Sequence, residues 1–294
     1  MSSDQDKILL DETRGFEKRP VRDNTAEILR EKREVSEAVP DAEARKLMGK
    51  RSRRSFLTGG VAAVAGVLGW WWISDETKAG LYRRSFEFNE RVSQIFFRPT
   101  RLAREFPQDK ITQDRLNGFE GMSEGFDAAA WKLSVGGLAG RSDDLILTMD
   151  DIKRLPRTEL ITEFKCIEGW SYIVKWAGVR FSDFAAAYPP KTQSGAAPDI
   201  ASRPHDLLSY VSLTTPDEGY FVGWDLPSIL HPQTLLAYEI NDQPLSLEHG
   251  APLRLASATK YGIKQIKRIG RIEYTSERPR DYWAEEGYDW YAGF

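Results

Sequence analysis

The sequence is short of the residues from which most protein metal and redox sites are built. One cysteine, Cys166, and three histidines are spread over 294 residues. A lone cysteine excludes an intramolecular disulfide, a multi-cysteine zinc cluster and a Cys-x-x-Cys-His haem attachment. There is no Gly-x-x-x-x-Gly-Lys loop to cradle a nucleotide phosphate. A net charge of −3 leaves no basic excess for nucleic acid, so none is expected as a partner. A redox role would therefore need an acquired cofactor and a separate electron-transfer partner. Core-forming residues, in contrast, are plentiful: nine tryptophans and a hydrophobic fraction of 41%.

The cysteine lies in the stretch Glu163-Phe164-Lys165-Cys166-Ile167-Glu168-Gly169-Trp170. Leu160, Thr162 and Phe164 alternate with Ile161 and Glu163, which predicts a half-buried strand giving way to a loop at the thiol. Taken alone, Cys166 has three readings. It is a buried small hydrophobe, a nucleophile activated by a histidine, or a soft ligand to a metal whose other ligands come from a cofactor.

Along the chain, residues 1–50 are densely charged in both signs and poor in aromatics, which predicts a disordered tail. Ser52-Arg53-Arg54-Ser55-Phe56-Leu57 then resembles the twin-arginine export signal. An uncharged run from Thr58 to Ile73 follows, closed by Trp70-Trp71-Trp72, which suit the outer membrane interface. Residues 51–74 are read as a signal retained as an anchor. That leaves the tail in the cytoplasm and the remainder in the periplasm at the bacterial inner membrane; cleavage would release a soluble periplasmic protein.

Residues 75–111 predict a helix from Glu76 to Phe97, with a ragged apolar face, and then a basic, proline-punctuated connector. Residues 112–294 form the globular body. Short strands are expected at Trp131–Val135, Leu145–Thr148, Leu208–Thr214, Leu235–Ile240 and Ile266–Tyr274. Met149–Leu155 reads as a short helix, and Ser182 as the cap of another. There is no βαβ rhythm, which gives an α+β class.

Beyond this reading, Cys166-Ile167-Glu168-Gly169-Trp170, Val179-Arg180-Phe181-Ser182-Asp183-Phe184, Leu235-Leu236-Ala237-Tyr238-Glu239, His249-Gly250-Ala251-Pro252-Leu253-Arg254 and Tyr261-Gly262-Ile263-Lys264-Gln265-Ile266-Lys267 occur in an order that resembles the sulfite oxidase superfamily. Within it, the bacterial periplasmic methionine sulfoxide reductase branch, in its catalytic subunit, is the most similar. The resemblance covers roughly residues 117–294.

It implies the sulfite oxidase fold, mixed sheets around a buried molybdopterin, and a molybdenum-molybdopterin cofactor with Cys166 as metal ligand. It implies Glu168 as a catalytic carboxylate. Asn117, Glu120, Gly121, Thr215, His249, Arg254, Gln265, Ile266 and Lys267 are implied as cofactor contacts. The Glu-Gly-Trp that follows the cysteine departs from the Gly, Asn and Arg of true sulfite oxidases. The implied activity is thus oxygen-atom transfer that reduces a sulfoxide, with electrons from a membrane haem-bearing subunit. Sulfite-oxidase-like oxidation of a small substrate is the alternative, beside the metal-free cysteine nucleophile and a non-catalytic cofactor scaffold. The twin-arginine route, which carries folded, cofactor-loaded proteins, fits the same reading.

Overall fold

The computed structural model describes residues 73–293. The expected tail, and the signal up to Trp72, lie outside them. Among the described residues no helix is long and apolar enough to cross a membrane. The first helix, α1 (Asp75–Phe96), starts where Ser74 accepts from the Thr77 N–H, with Asp75 and Glu76 in its first turn.

Ten strands then build two five-stranded sheets. The first runs β2 (Leu145–Leu147), β1 (Leu133–Gly136), β10 (Arg271–Thr275), β5 (Tyr210–Thr214) and β6 (Phe221–Asp225). Only its β1–β10 contact is parallel. The second is antiparallel: β3 (Arg157–Lys165), β4 (Ser171–Arg180), β7 (Thr234–Ile240) and β8 (Gln243–Pro244), with β9 (Arg254–Ser257) on the other part of β7. Four short helices complete the unit: α2 (Met149–Lys153), α3 (Phe181–Ala187), α4 (Leu226–Ile229) and α5 (Tyr282–Glu285). The class is mixed α and β, with two sheets.

The second sheet positions the site. On β3, Leu160, Thr162 and Phe164 are buried, as the alternation predicts. β7 and β8 meet through Asn241 and Asp242, both left-handed at φ 49° and 64°, the setting of a tight hairpin. The connector after α1 runs along the free edge of β3, where the Phe106 N–H reaches the Ile161 carbonyl at 3.0 Å. Thr112 continues it onto β4 at Ile173. An otherwise open strand edge is thereby covered.

Three expectations change. The strand expected over Ile266–Tyr274 pairs only from Arg271. Ile266 and Ile269 enter the core from a loop, bent by the left-handed Arg268 at φ 49°. Ser182 lies inside α3, whose cap position is Arg180 without a side-chain bond, because the fully buried Phe181 already begins the helix. Strands β4, β6 and β9 were not expected. All four residues of β9 are buried, and most of β4 and β6 are, so no clear period of two marks them.

Candidate functional site

The β3–β4 hairpin carries Cys166 to the wall of a cavity of about 500 Å³. The ladder reaches the Lys165–Ser171 pair, and the Cys166 N–H then donates to the Trp170 carbonyl at 2.9 Å. Gly169 closes the turn onto the Cys166 carbonyl at 3.2 Å, with a φ of 86° that suits glycine. The thiol is thus held by main-chain geometry, 9% exposed, beside Phe164 and Tyr172. Those two rings stack at 5.0 Å, and Trp170 extends the stack at 6.0 Å from each.

Glu168 is exposed, and its carboxylate is fixed. Oε2 accepts from Trp170 Nε1 at 2.8 Å and from Asn117 Nδ2 at 3.3 Å. The same amide lies 3.8 Å from the Cys166 sulfur, so Asn117 bridges thiol and carboxylate.

Two cations share this cavity. Arg254, 3% exposed at the start of β9, donates to the carbonyls of His249 at 3.0 Å and Gln265 at 3.2 Å. Its guanidinium lies 4.6 Å from the centre of the Trp176 ring. Lys267 donates to the carbonyls of Asn117 at 2.8 Å and Gly118 at 2.9 Å. These partners are all neutral. Burial lowers Arg254 to about 10. Burial and then the Arg254 charge lower Lys267 to about 8, against the opposing pull of Glu120 and Glu248. Cations held only by carbonyls leave an electrostatic deficit that an anion would offset.

Of the residues singled out in the sequence, Asn117, Glu120, Cys166, Glu168, Arg254, Gln265 and Lys267 line the cavity, whereas Gly121, Thr215, His249 and Ile266 do not. Gly121 packs so closely that a Cβ would stand 2.5 Å from Thr215 Oγ1. That hydroxyl donates to Asp217 at 2.7 Å and accepts from the Tyr220 N–H at 3.1 Å. The His249 ring is engaged by Ser246 at 2.8 Å and by Asp114, and only its carbonyl reaches Arg254. Ile266 is core, 1% exposed. Even the Gln265 side chain is tied to the main chain of Ser257 and Lys260.

The sequence also concealed three features of this region. Phe119, Tyr220, Trp283 and Tyr288 line the cavity, the last two from the segment after the final strand. Lys264 is fully buried against Asp281 at 2.5 Å and the Trp290 carbonyl at 2.6 Å. Lys260 is held likewise by Asp225 at 3.1 Å and the Tyr291 carbonyl at 2.8 Å. These two pairs pin both ends of the segment that leads into Gln265 and Lys267. Among the described residues no histidine lines the cavity, and none is a hydrogen-bond partner of Cys166.

Residues 120–283, more than half of the chain, match the family described as the oxidoreductase molybdopterin binding domain. The chain belongs to this family. It is 32% identical, over 82% of its length and 86% of the relative's, to an Azospira oryzae protein provisionally named protein-methionine-sulfoxide reductase subunit YedZ1. It is 31% identical to the protein-methionine-sulfoxide reductase catalytic subunit MsrP of Campylobacter jejuni, over 58% of this chain and 59% of that one. Among solved structures, the sulfane dehydrogenase SoxCD from Paracoccus pantotrophus is similar over 52% of this chain and 40% of its own. That likeness, at 19% identity and a TM-score of 0.43, is too partial to define the architecture.

The protein is a molybdopterin-dependent oxidoreductase, and its cofactor is molybdenum held by molybdopterin. The site suits that group. A soft sulfur and two cations without an ion-pair partner face one cavity, a donor set that suits a metal and an anionic phosphate. Among the described residues no group of three or more His, Cys, Asp or Glu side chains could hold a metal by itself.

Proposed function

We propose that this oxidoreductase reduces sulfoxides, methionine sulfoxide included, with electrons from a membrane haem-bearing subunit. The observation that carries the reading is the Cys166–Asn117–Glu168 cluster. It sets a thiol and a fixed carboxylate at the wall of a cavity that Phe119, Tyr220, Trp283 and Tyr288 also line. The names of the relatives, methionine-sulfoxide reductase subunits, support the same substrate class.

When bound, the molybdenum centre supplies two-electron oxygen-atom exchange. Cys166 would offer its sulfur to the metal, Arg254 and Lys267 would hold the pterin phosphate, and Asn117, Glu120 and Gln265 would line the cavity around the group. Gly121, Thr215, His249 and Ile266 act at one remove, by shaping the walls and seating Arg254. The net change, sulfoxide plus two electrons and two protons to thioether plus water, calls for proton delivery beside the thiol. Glu168 carries those protons on its carboxylate, which Trp170 and Asn117 hold in place. A negative group at this position disfavours anionic sulfite.

The proposed organisation is a cytoplasmic tail over 1–50, a twin-arginine signal kept as an anchor over 51–74, a helix and connector over 75–111, and the oxidoreductase domain over 112–294. It rests on the sulfite oxidase fold and places catalysis on the periplasmic side of the inner membrane. The test is steady-state kinetics on cofactor-loaded protein, with a reduced dye for methionine sulfoxide and an oxidised dye for sulfite. A larger kcat/KM for the sulfoxide is expected, and faster sulfite oxidation overturns the reading.

A further inference from the structure

Helix α1 is inside out. At about 100° per residue, Leu81, Ser85, Phe88, Val92, Ile95 and Phe96 fall within about 60° of one line. Helices of globular proteins turn such a stripe to the core. Here Leu81, Phe88, Ile95 and Phe96 are 42, 66, 65 and 70% exposed. The residue diametrically opposite, Glu90, is the one that is buried. Its carboxylate takes the Arg278 guanidinium at 2.8 Å, and Arg278 in turn lies 4.2 Å from the centre of the Trp290 ring. The helix is therefore docked by an ion pair, with its apolar face outward.

Of the four cations of α1, Lys78, Arg84 and Arg91 flank the stripe within about 80° of its centre, Lys78 paired with Asp75 at 3.0 Å, and Arg83 lies on the opposite side. Asp75, Glu76, Glu87 and Glu90 all fall in the opposite half, at about 120° or more. A second copy of the helix packed on this stripe would bring Arg84 and Arg91 of each copy to the seam, and among the described residues neither makes an ion pair. An anionic lipid surface meets both features, taking the apolar side chains below the headgroups and the cations among them. In the sequence, the uncharged run from Thr58 to Ile73, with its three tryptophans, ends at the residue before the Ser74 cap.

We infer that α1 lies along an anionic bilayer surface, with Leu81, Phe88, Ile95 and Phe96 in the acyl boundary and Arg84 and Arg91 at the headgroups. The inference rests on the membrane attachment proposed above, and the two can fail separately.

The test uses the full chain mixed with phosphatidylglycerol/phosphatidylethanolamine vesicles and a spin label introduced through Phe88→Cys. Arg83→Cys supplies the opposite face, and the unsubstituted protein controls for labelling at Cys166. At position 88, access of a water-soluble nickel relaxant should fall several-fold relative to position 83, and access of oxygen should rise. Neutralising the flanks with Arg84→Gln and Arg91→Gln should move position 88 toward its behaviour in phosphatidylcholine vesicles. Equal aqueous access at the two positions overturns the inference. If the protein still floats with the vesicles, the attachment stands and only the helix orientation falls; if it does not float, both fall. Spin–spin broadening from a paired label at position 88 shows a second copy on the stripe and also overturns it.

Discussion

The ammonium group of Lys267 donates to the main-chain carbonyl of Asn117 at 2.8 Å, across 150 positions of sequence. One cation thus serves two purposes, facing the cavity and pinning the loop that brings Asn117 to Cys166. Lys267→Met should release both. A hydrogen bond to a charged group contributes about 1.5–3 kcal/mol, or roughly 10- to 150-fold in affinity. Molybdenum and pterin retained after gel filtration should fall accordingly while the far-ultraviolet spectrum stays native.

The same residue sets a pH dependence with two opposite signs. Burial lowers Lys267 to about 8, so its positive charge is present below that pH and lost above it. Cofactor retention should decline as pH passes from 7 to 9, and Lys267→Arg should keep it. Stability of the cofactor-free protein should move the other way. Between about 8 and the ordinary lysine value the unfolded chain binds the proton and the folded chain does not, so stability rises with pH. Lys260, also lowered to about 8 by burial, adds in the same direction. Thermal melts from pH 7.5 to 10 check the sign.

Cys166→Ser exchanges a soft donor for a hard one. Sulfoxide turnover should fall to background while pterin is retained through Arg254 and Lys267. Metal and pterin analyses on the same sample separate these effects. Turnover near the original rate would remove Cys166 from the metal site.

Glu168→Gln keeps the hydrogen-bonding shape but cannot carry a proton. The reduction rate should drop by a larger factor at neutral than at acid pH, where solvent protons partly substitute. Equal losses across the pH profile would assign Glu168 a purely structural part.

Asp281→Ala strips the partner from Lys264, a buried ammonium 2.5 Å away. Leaving one member of a buried ion pair uncompensated costs about 3–5 kcal/mol. Denaturant melts should show that loss, and Lys264→Met in the same chain should recover much of it.

The sequence and the structure agree where one local rule decides the outcome. β3 and the position of Cys166 were legible because one face of that strand is buried, and α1 because its period is helical. The direction in which α1 faces was not legible, since a stripe does not say which side meets the body. β9 was hidden by burial of all its residues. Lys264 and Lys260 were hidden because charge usually marks a surface, and the acids that make their burial tolerable lie 17 and 35 positions away. His249, implied by the resemblance as a cofactor contact, meets Arg254 through its carbonyl, and its ring is claimed by Asp114, 135 positions earlier.

The two sheets are interleaved along the chain, and this has a consequence for how the protein acquires its shape. The first sheet draws on residues 133–147, 210–225 and 271–275, the second on 157–180 and 234–257. Ser134 finds its parallel partner only at Arg271, after every strand of the second sheet has been laid down between them. Neither sheet is a segment that could collapse early and wait for the other. High contact order of this kind slows the search for the native state and makes it cooperative. The walls around Cys166 draw on segments near positions 117–120, 164–170, 254–267 and 283–288, so they should close only when these distant parts of the chain meet.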